Sequence, residues 1–212
     1  MTMEAFEAAG VRGVLHRPPV PNGNGFALTH GAGSNADAPL LLRMAAALAD
    51  AGYLVLRYDL PFRVARPMGP PIPAAAAGDR DGIARAVDAL RKLAGGRVFA
   101  GGHSYGGRQT AMAAAGHDGL ADALLLLSYP LHPPRQPERM RTGFFPALRT
   151  PALFVQGTAD PFGSIEEMRE AMKAIPAHTD LMVVERVGHD LNSAPAADIL
   201  ARFQTLVCYP GK

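Results

Sequence analysis

The chain has no tryptophan and a single cysteine, Cys208. One thiol cannot form an intrachain disulfide or supply a cysteine-based zinc site, so neither device holds this fold together. Charge of one sign is scarce as well: 21 basic and 19 acidic residues leave a formal charge of +2 over 212 residues. The pI of about 8.9 reflects that small excess, and no Lys/Arg cluster of the kind that marks a nucleic-acid-binding surface is present. Long apolar runs are missing too. The leucine-rich run 123–127, even with 129–131 beyond it, falls far short of the roughly 20 residues of a membrane span. The opening Met1-Thr2-Met3-Glu4-Ala5-Phe6-Glu7 has neither a basic region nor an apolar core. We therefore expect no secretion signal, no membrane association and a cytoplasmic location. Nothing in the pattern speaks to oligomeric state.

Hydrophobic residues make up 48% of the chain and charged residues 19%, which suits a chain that buries a full core. The 23 glycines and 19 prolines punctuate it at short intervals. Between them, apolar runs at 25–29, 53–58, 97–101, 123–128, 152–156 and 181–187 read as buried strands. The stretch 10–16 adds a further strand at the edge. Helical spacing follows most strands, at 39–50, 81–93, 105–115, 165–174 and 196–207. Such alternation predicts a mostly parallel, doubly wound sheet in a three-layer α/β/α sandwich, forming one domain over 1–212. Two segments break the rhythm. One is the proline-rich 61–78; the other is 131–150, with Pro133, Pro134, Pro137 and Pro146. Both follow strands and belong at the carboxyl edge of the sheet, where open α/β folds bind ligands. Each reads equally as a stiffened surface loop or as part of a substrate mouth, and neither has room for a large cap.

The densest chemical signal is Gly102-His103-Ser104-Tyr105-Gly106, a single Gly-x-Ser-x-Gly between an expected strand and an expected helix. A serine on so tight a turn needs small neighbours where strand and helix approach, and the turn lifts its hydroxyl above the sheet. A hydroxyl is a poor nucleophile until a base takes its proton, and the base needs a carboxylate to hold its tautomer. Four histidines follow Ser104. His117 ends a helix, His178 precedes a strand, and His132 comes before every plausible acid. His189, just after a strand, is the best base. Asp160 closes the preceding strand and is the best acid. Asp118, Asp122 and Asp180 lie near strand starts or helix ends, while Glu166, Glu167 and Glu170 read as a solvated helical face.

Donors for an oxyanion are expected from the N–H groups of Tyr105 and Ala32, or of Gly33 if the 28–34 turn is shifted by one residue. His30 and His103 are expected to orient these turns without moving protons. Arg63 or Arg66 reads either as a clamp for an anionic substrate or as a solvated charge, and His132 and Arg141 as lining for the same mouth. Gly33 borders it as well. Cys208, in the last helix, is expected to be a small buried apolar residue.

Taken together, His30-Gly31-Ala32-Gly33, the Ser104 turn, Asp160 and His189 resemble the α/β-hydrolase superfamily over nearly the whole chain. The compact size is similar to its dienelactone-hydrolase-like group. Tyr129-Pro130-Leu131-His132-Pro133-Pro134, with Pro137-Glu138 and Arg141, looks like a small branch of it, as does Asp160-Pro161-Phe162-Gly163. That branch includes the hydrolase-like domain of a histone-acetyltransferase (NSL) complex regulatory subunit. The resemblance implies Ser104 as nucleophile, Asp160 as acid and His189 as base, on a reduced fold lacking the extra amino-terminal strand of larger members. Dienelactone hydrolases carry a cysteine where this chain has Ser104. The expected function is cleavage of a small-molecule carboxylic ester or thioester without metal or organic cofactor. The alternative is a non-catalytic α/β-hydrolase-like module that binds a protein partner.

Overall fold

Strands form where apolar side chains crowd both faces of the chain. In the computed structural model, which describes residues 1–208, the central strands are β3 (Gly25–Thr29), β4 (Leu54–Tyr58), β5 (Val98–His103), β6 (Leu124–Leu127) and β7 (Ala152–Gly157). All are almost wholly buried, as expected of parallel strands covered on both sides. With β1 (Thr2–Ala8), β2 (Val11–Arg17) and β8 (Thr179–Val184) they form one eight-stranded sheet in the order β1-β2-β4-β3-β5-β6-β7-β8. Every pairing from β4 to β8 is parallel, and β2 alone runs against its neighbours.

The first strand corrects an expectation. β1 is present and pairs along its full length with β2, from Thr2 opposite Arg17 to Ala8 opposite Val11. The hydrophobic pattern hid it because β1 is almost entirely solvent-exposed. It is held by a ladder of backbone bonds to one neighbour, which leaves little trace in side-chain polarity.

Side chains alternate across the sheet and sort into two cores. Phe26, Leu28, Val55 and Phe99 pack with Leu41, Met44 and Leu48 of α1 (Pro39–Asp50) and with Ile199 and Phe203 of α6 (Ala196–Cys208). Phe203 meets Phe26 and Phe99 with ring centroids 5.1 and 5.3 Å apart, in tilted and edge-on contacts. Ala27, Leu56, Ala100 and Phe154 face the other way. They pack against Ile83, Val87 and Leu90 of α3 (Ala76–Arg91), Ala111 and Ala114 of α4 (Tyr105–Gly116) and Met168 of α5 (Ile165–Met172). Each large side chain buried this way contributes about 1.5–3 kcal/mol.

The segment 61–78 is not a plain loop. It opens as the short helix α2 (Pro61–Ala65), with proline in the first turn, and closes in a 3-10 turn at Pro73–Ala75 that runs into α3. Helix α3 starts earlier than apolar spacing suggests because its first turn buries only a carboxylate, Asp79. The segment 131–150 contains one 3-10 turn, Phe145–Ala147, and is otherwise irregular. Cys208 is exposed at the end of α6, against the expectation of burial. Among the described residues, no helix is long and apolar enough to cross a membrane.

Candidate active site

At the carboxyl end of β5 the chain reverses from strand to helix within one residue. The Ser104 N–H still donates to Leu127 O of the neighbouring strand segment at 2.8 Å, while the Ser104 carbonyl already accepts the first bond of α4 from Arg108 N at 2.9 Å. Meeting both demands puts Ser104 at φ 51°, ψ −115°. A non-glycine residue there stores of order 1–3 kcal/mol of strain. The flanking glycines are demanded by distance. A Cβ at Gly102 would stand 2.7 Å from Thr29 O, and one at Gly106 would stand 2.4 Å from His30 O. Glycine at both positions lets β5, α4 and the end of β3 close on one another.

Ser104, His189 and Asp160 stand in one hydrogen-bonded line. His189 Nε2 lies 2.7 Å from Ser104 Oγ, and His189 Nδ1 lies 2.8 Å from Asp160 Oδ2. Asp160 has a fully buried side chain. Its Oδ2 also accepts from Gln156 Nε2 and its Oδ1 from the Phe162 N–H, each at 2.9 Å. Every partner of the carboxylate is therefore a donor. It accepts the Nδ1–H of His189 and leaves Nε2 as the acceptor facing the serine hydroxyl.

The loops that carry Asp160 and His189 are tied together. Ala159 N–H donates to Val187 O at 3.0 Å, and Arg43 of α1 donates to Leu191 O at 3.0 Å. The ring of Phe162 lies against that of His189, with centroids 4.2 Å apart and planes tilted by 33°. His103 Nε2 bonds the His189 carbonyl at 2.7 Å, so the residue before Ser104 also anchors His189.

His30 and His103 act as neutral struts. His30 is wholly buried; it donates from Nδ1 to Gly31 O at 2.8 Å and accepts the Leu60 N–H on Nε2 at 3.1 Å. Burial holds both imidazoles below the ordinary histidine pKa. Ala32 and Gly33 line a cavity of about 300 Å³ together with Ser104, Phe162 and His189. Among the described residues the N–H groups of Ala32 and Tyr105 have no backbone acceptor. Tyr105 opens α4, where a helix has N–H groups to spare.

Three expected substrate contacts are corrected. Arg63 is buried, and its guanidinium donates to four carbonyls: Ala32, Ser34, Arg66 and Gly69, at 2.8–3.2 Å. It ties the 31–34 loop to α2 and has no face left for an anion. The turn there leaves carbonyls without helix or strand partners, and a five-donor side chain takes them up. Arg66 is exposed and lines a different hollow, with Phe62, Pro70 and Ile72, where it donates to Met68 O and Pro70 O at 3.1 and 2.9 Å. His132 is buried between Pro133 O, at 2.8 Å, and Glu167 Oε2, at 3.4 Å, while its backbone N–H donates to Phe162 O. It shapes the Asp160 loop and does not line the cavity around Ser104.

Sequence reasoning passed over several residues the site uses. In the sequence Gln156 stands only as the last residue of an expected strand, and Phe162 only within the Asp160-Pro161-Phe162-Gly163 resemblance. Asp79, fully buried, accepts the Phe62 N–H at 2.9 Å and the Tyr105 hydroxyl at 2.7 Å. Burial first, and then this bond, raise the Tyr105 hydroxyl pKa and keep it protonated. Only the pairing of a buried acid with a tyrosine on another helix reveals that role, and no local pattern carries it.

A family model described as an alpha/beta hydrolase domain matches residues 23–201. Among solved structures, a dienelactone hydrolase from Anabaena variabilis superposes with a TM-score of 0.72 at 20% identity, covering 96% of this chain and 94% of that one. Est1E from Butyrivibrio proteoclasticus gives 0.74 at 16% identity, over 98% and 99% of the two chains. An alpha-beta serine hydrolase homologue from Coxiella burnetii gives 0.72 at 14% identity, over 97% and 95%. At such identities the likeness is one of fold.

Proposed function

This chain belongs to the α/β-hydrolase family, and we propose that it is a serine hydrolase cleaving small carboxylic esters or thioesters. The observation that carries the reading is the unbroken line from Asp160 through His189 to Ser104, with links of 2.8 and 2.7 Å. His189 takes the Ser104 proton as Oγ attacks the carbonyl carbon. The tetrahedral oxyanion is received by the free N–H groups of Ala32 and Tyr105. His189 then gives its proton to the departing alcohol or thiol, leaving an acyl group on Ser104. A water, deprotonated by His189, attacks that acyl carbon, and the acid departs as Ser104 regains its proton. Asp160 stabilises the imidazolium throughout. The cavity of about 300 Å³ around Ser104 suits a short acyl chain.

The test is covalent and kinetic together. A fluorophosphonate is expected to label the wild-type chain at Ser104, and Ser104→Ala to abolish labelling. The same change is expected to lower hydrolysis of p-nitrophenyl acetate by about 10³-fold or more. Unchanged turnover in a folded Ser104→Ala protein refutes the reading. Absence of any labelling, with stable co-purification of a protein partner, favours the non-catalytic module. A panel of acyl chain lengths on oxygen and sulfur leaving groups then separates esterase from thioesterase.

A further inference from the structure

Next to the Ser104 cavity lies a second one, of about 440 Å³. Ala32 lines both, and Tyr105, the residue after Ser104, lines the second. Three arginines from three separate elements meet there: Arg80 from α3, Arg108 from the first turn of α4, and Arg141 from the irregular 131–150 segment. Resting on the hydrolase reading, we propose that the substrate carries an anionic oxygen group, carboxylate or phosphate, seated on Arg80, Arg108 and Arg141 beside the oxyanion loop.

The contrast with Arg63 and Arg66 supports this. Those two make six hydrogen bonds to backbone carbonyls, whereas the three arginines of the second cavity make one, and it is long. Arg80 donates to Gln109 Oε1 at 3.1 Å, and Arg141 reaches Pro130 O only at 3.4 Å. The Nε of Arg108 is buried with no hydrogen-bond partner, while its guanidinium faces the Tyr129 hydroxyl. A buried donor left in that state costs about 1–3 kcal/mol.

Among the described residues, none of the three forms an ion pair. The carboxylate bonded to Tyr105, Asp79, has its oxygens engaged by the Phe62 N–H and the Tyr105 hydroxyl. Burial, and then the facing Arg108, push the Arg141 guanidinium below its ordinary pKa. Like charges thus face one another across a cavity with spare donors. An oxyanion, which guanidinium groups bind in a fork, removes the repulsion. The shared wall at Ala32 puts that group a few atoms from the scissile carbonyl, as in a half-ester of a short dicarboxylic acid.

The proposal is tested with matched substrates and by direct binding. At low salt the wild-type chain is expected to hydrolyse 4-nitrophenyl hemisuccinate with a kcat/KM at least tenfold above that for the neutral 4-nitrophenyl ester of equal length. Arg141→Gln and Arg80→Gln are each expected to lower this ratio by about ten- to a hundredfold, the size of a charged hydrogen bond. Raising the salt to 0.5 M is expected to compress the wild-type ratio several-fold. Calorimetric titration of the Ser104→Ala protein with monomethyl succinate and with phenyl phosphate reads the site without turnover, and the tighter ligand identifies the source of the anion.

A ratio at or below one, or one retained by both folded variants, overturns the anion site. So does failure of both anions to bind. Fluorophosphonate labelling without anion preference would leave the hydrolase reading standing and remove only this inference. Anion binding that Arg141→Gln abolishes, in a protein that takes no label, would preserve the anion site and remove the hydrolase reading.

Discussion

Replacing Asp160 with asparagine changes one atom and tests the polarity of the whole hydrogen-bonded line. Both oxygens of Asp160 accept, from His189 Nδ1 and Gln156 Nε2 at Oδ2 and from the Phe162 N–H at Oδ1. An amide brings an NH₂ group into this fully buried ring of donors and must turn it toward one side. Turned toward Phe162, it sets two buried donors against each other, at about 1–3 kcal/mol. Turned toward His189, it donates to Nδ1 and drives the imidazole into the Nε2–H tautomer. Nε2 then donates to Ser104 and cannot take its proton. In serine triads the wrong tautomer lowers kcat by about 10⁴, equivalent to roughly 5.5 kcal/mol at about 1.36 kcal/mol per decade.

We therefore expect Asp160→Asn to take the second orientation, where Gln156 can turn its unpartnered Oε1 toward the new NH₂, to fold, and to hydrolyse p-nitrophenyl acetate about 10⁴-fold more slowly than wild type. Circular dichroism checks the fold before the rates are compared. A folded variant within tenfold of wild type would refute the idea that Asp160 sets the protonation of His189.

Two further outcomes probe the frame around the site. In Gly106→Ala, the new methyl meets His30 O at 2.4 Å, so an overpacking loss of about 1–3 kcal/mol is expected. Retention of the wild-type urea midpoint would show that α4 does not lean on the end of β3. Acidification tests His16, which is buried and accepts from Arg57 Nε at 2.8 Å, and whose pKa is lowered to about 4 by burial and by Arg57. The unfolded chain takes this proton near about 6.5 and the folded chain only near 4, so stability is full above about pH 6.5 and falls as the pH drops toward 4. For His16 the loss by pH 4.5 is about 2–3 kcal/mol. Urea midpoints at pH 7.5 and 4.5 measure it, and His16→Gln, which keeps an acceptor for Arg57, is expected to flatten the dependence. An unchanged midpoint between the two pH values contradicts the reasoning.

The legible parts of this protein are those with a local physical signature. Apolar runs marked β3 to β7 because both faces of those strands are covered. The Ser104 turn was visible because the close approach of β5 and α4 tolerates only glycine at positions 102 and 106. Asp160 and His189 could be chosen from their places after successive strands, since parallel strands deliver their following loops to one edge. β1 was not legible, because its pairing is made by backbone atoms under exposed side chains of mixed polarity.

Arginines divide the two kinds of knowledge most clearly. From chain order, Arg63 and Arg66 looked like the natural anion clamp, since they follow a strand at the carboxyl edge. Folding turned them onto the carbonyls of residues 32, 34, 66, 68, 69 and 70. It left Arg80, Arg108 and Arg141, drawn from distant parts of the chain, around a cavity with donors to spare. Hydrophobic periodicity and turn chemistry act between near neighbours, so they can be read along the chain. The partner of a long charged side chain depends on which carbonyls and cavities arrive beside it once the layers have packed, and no stretch of residues records that.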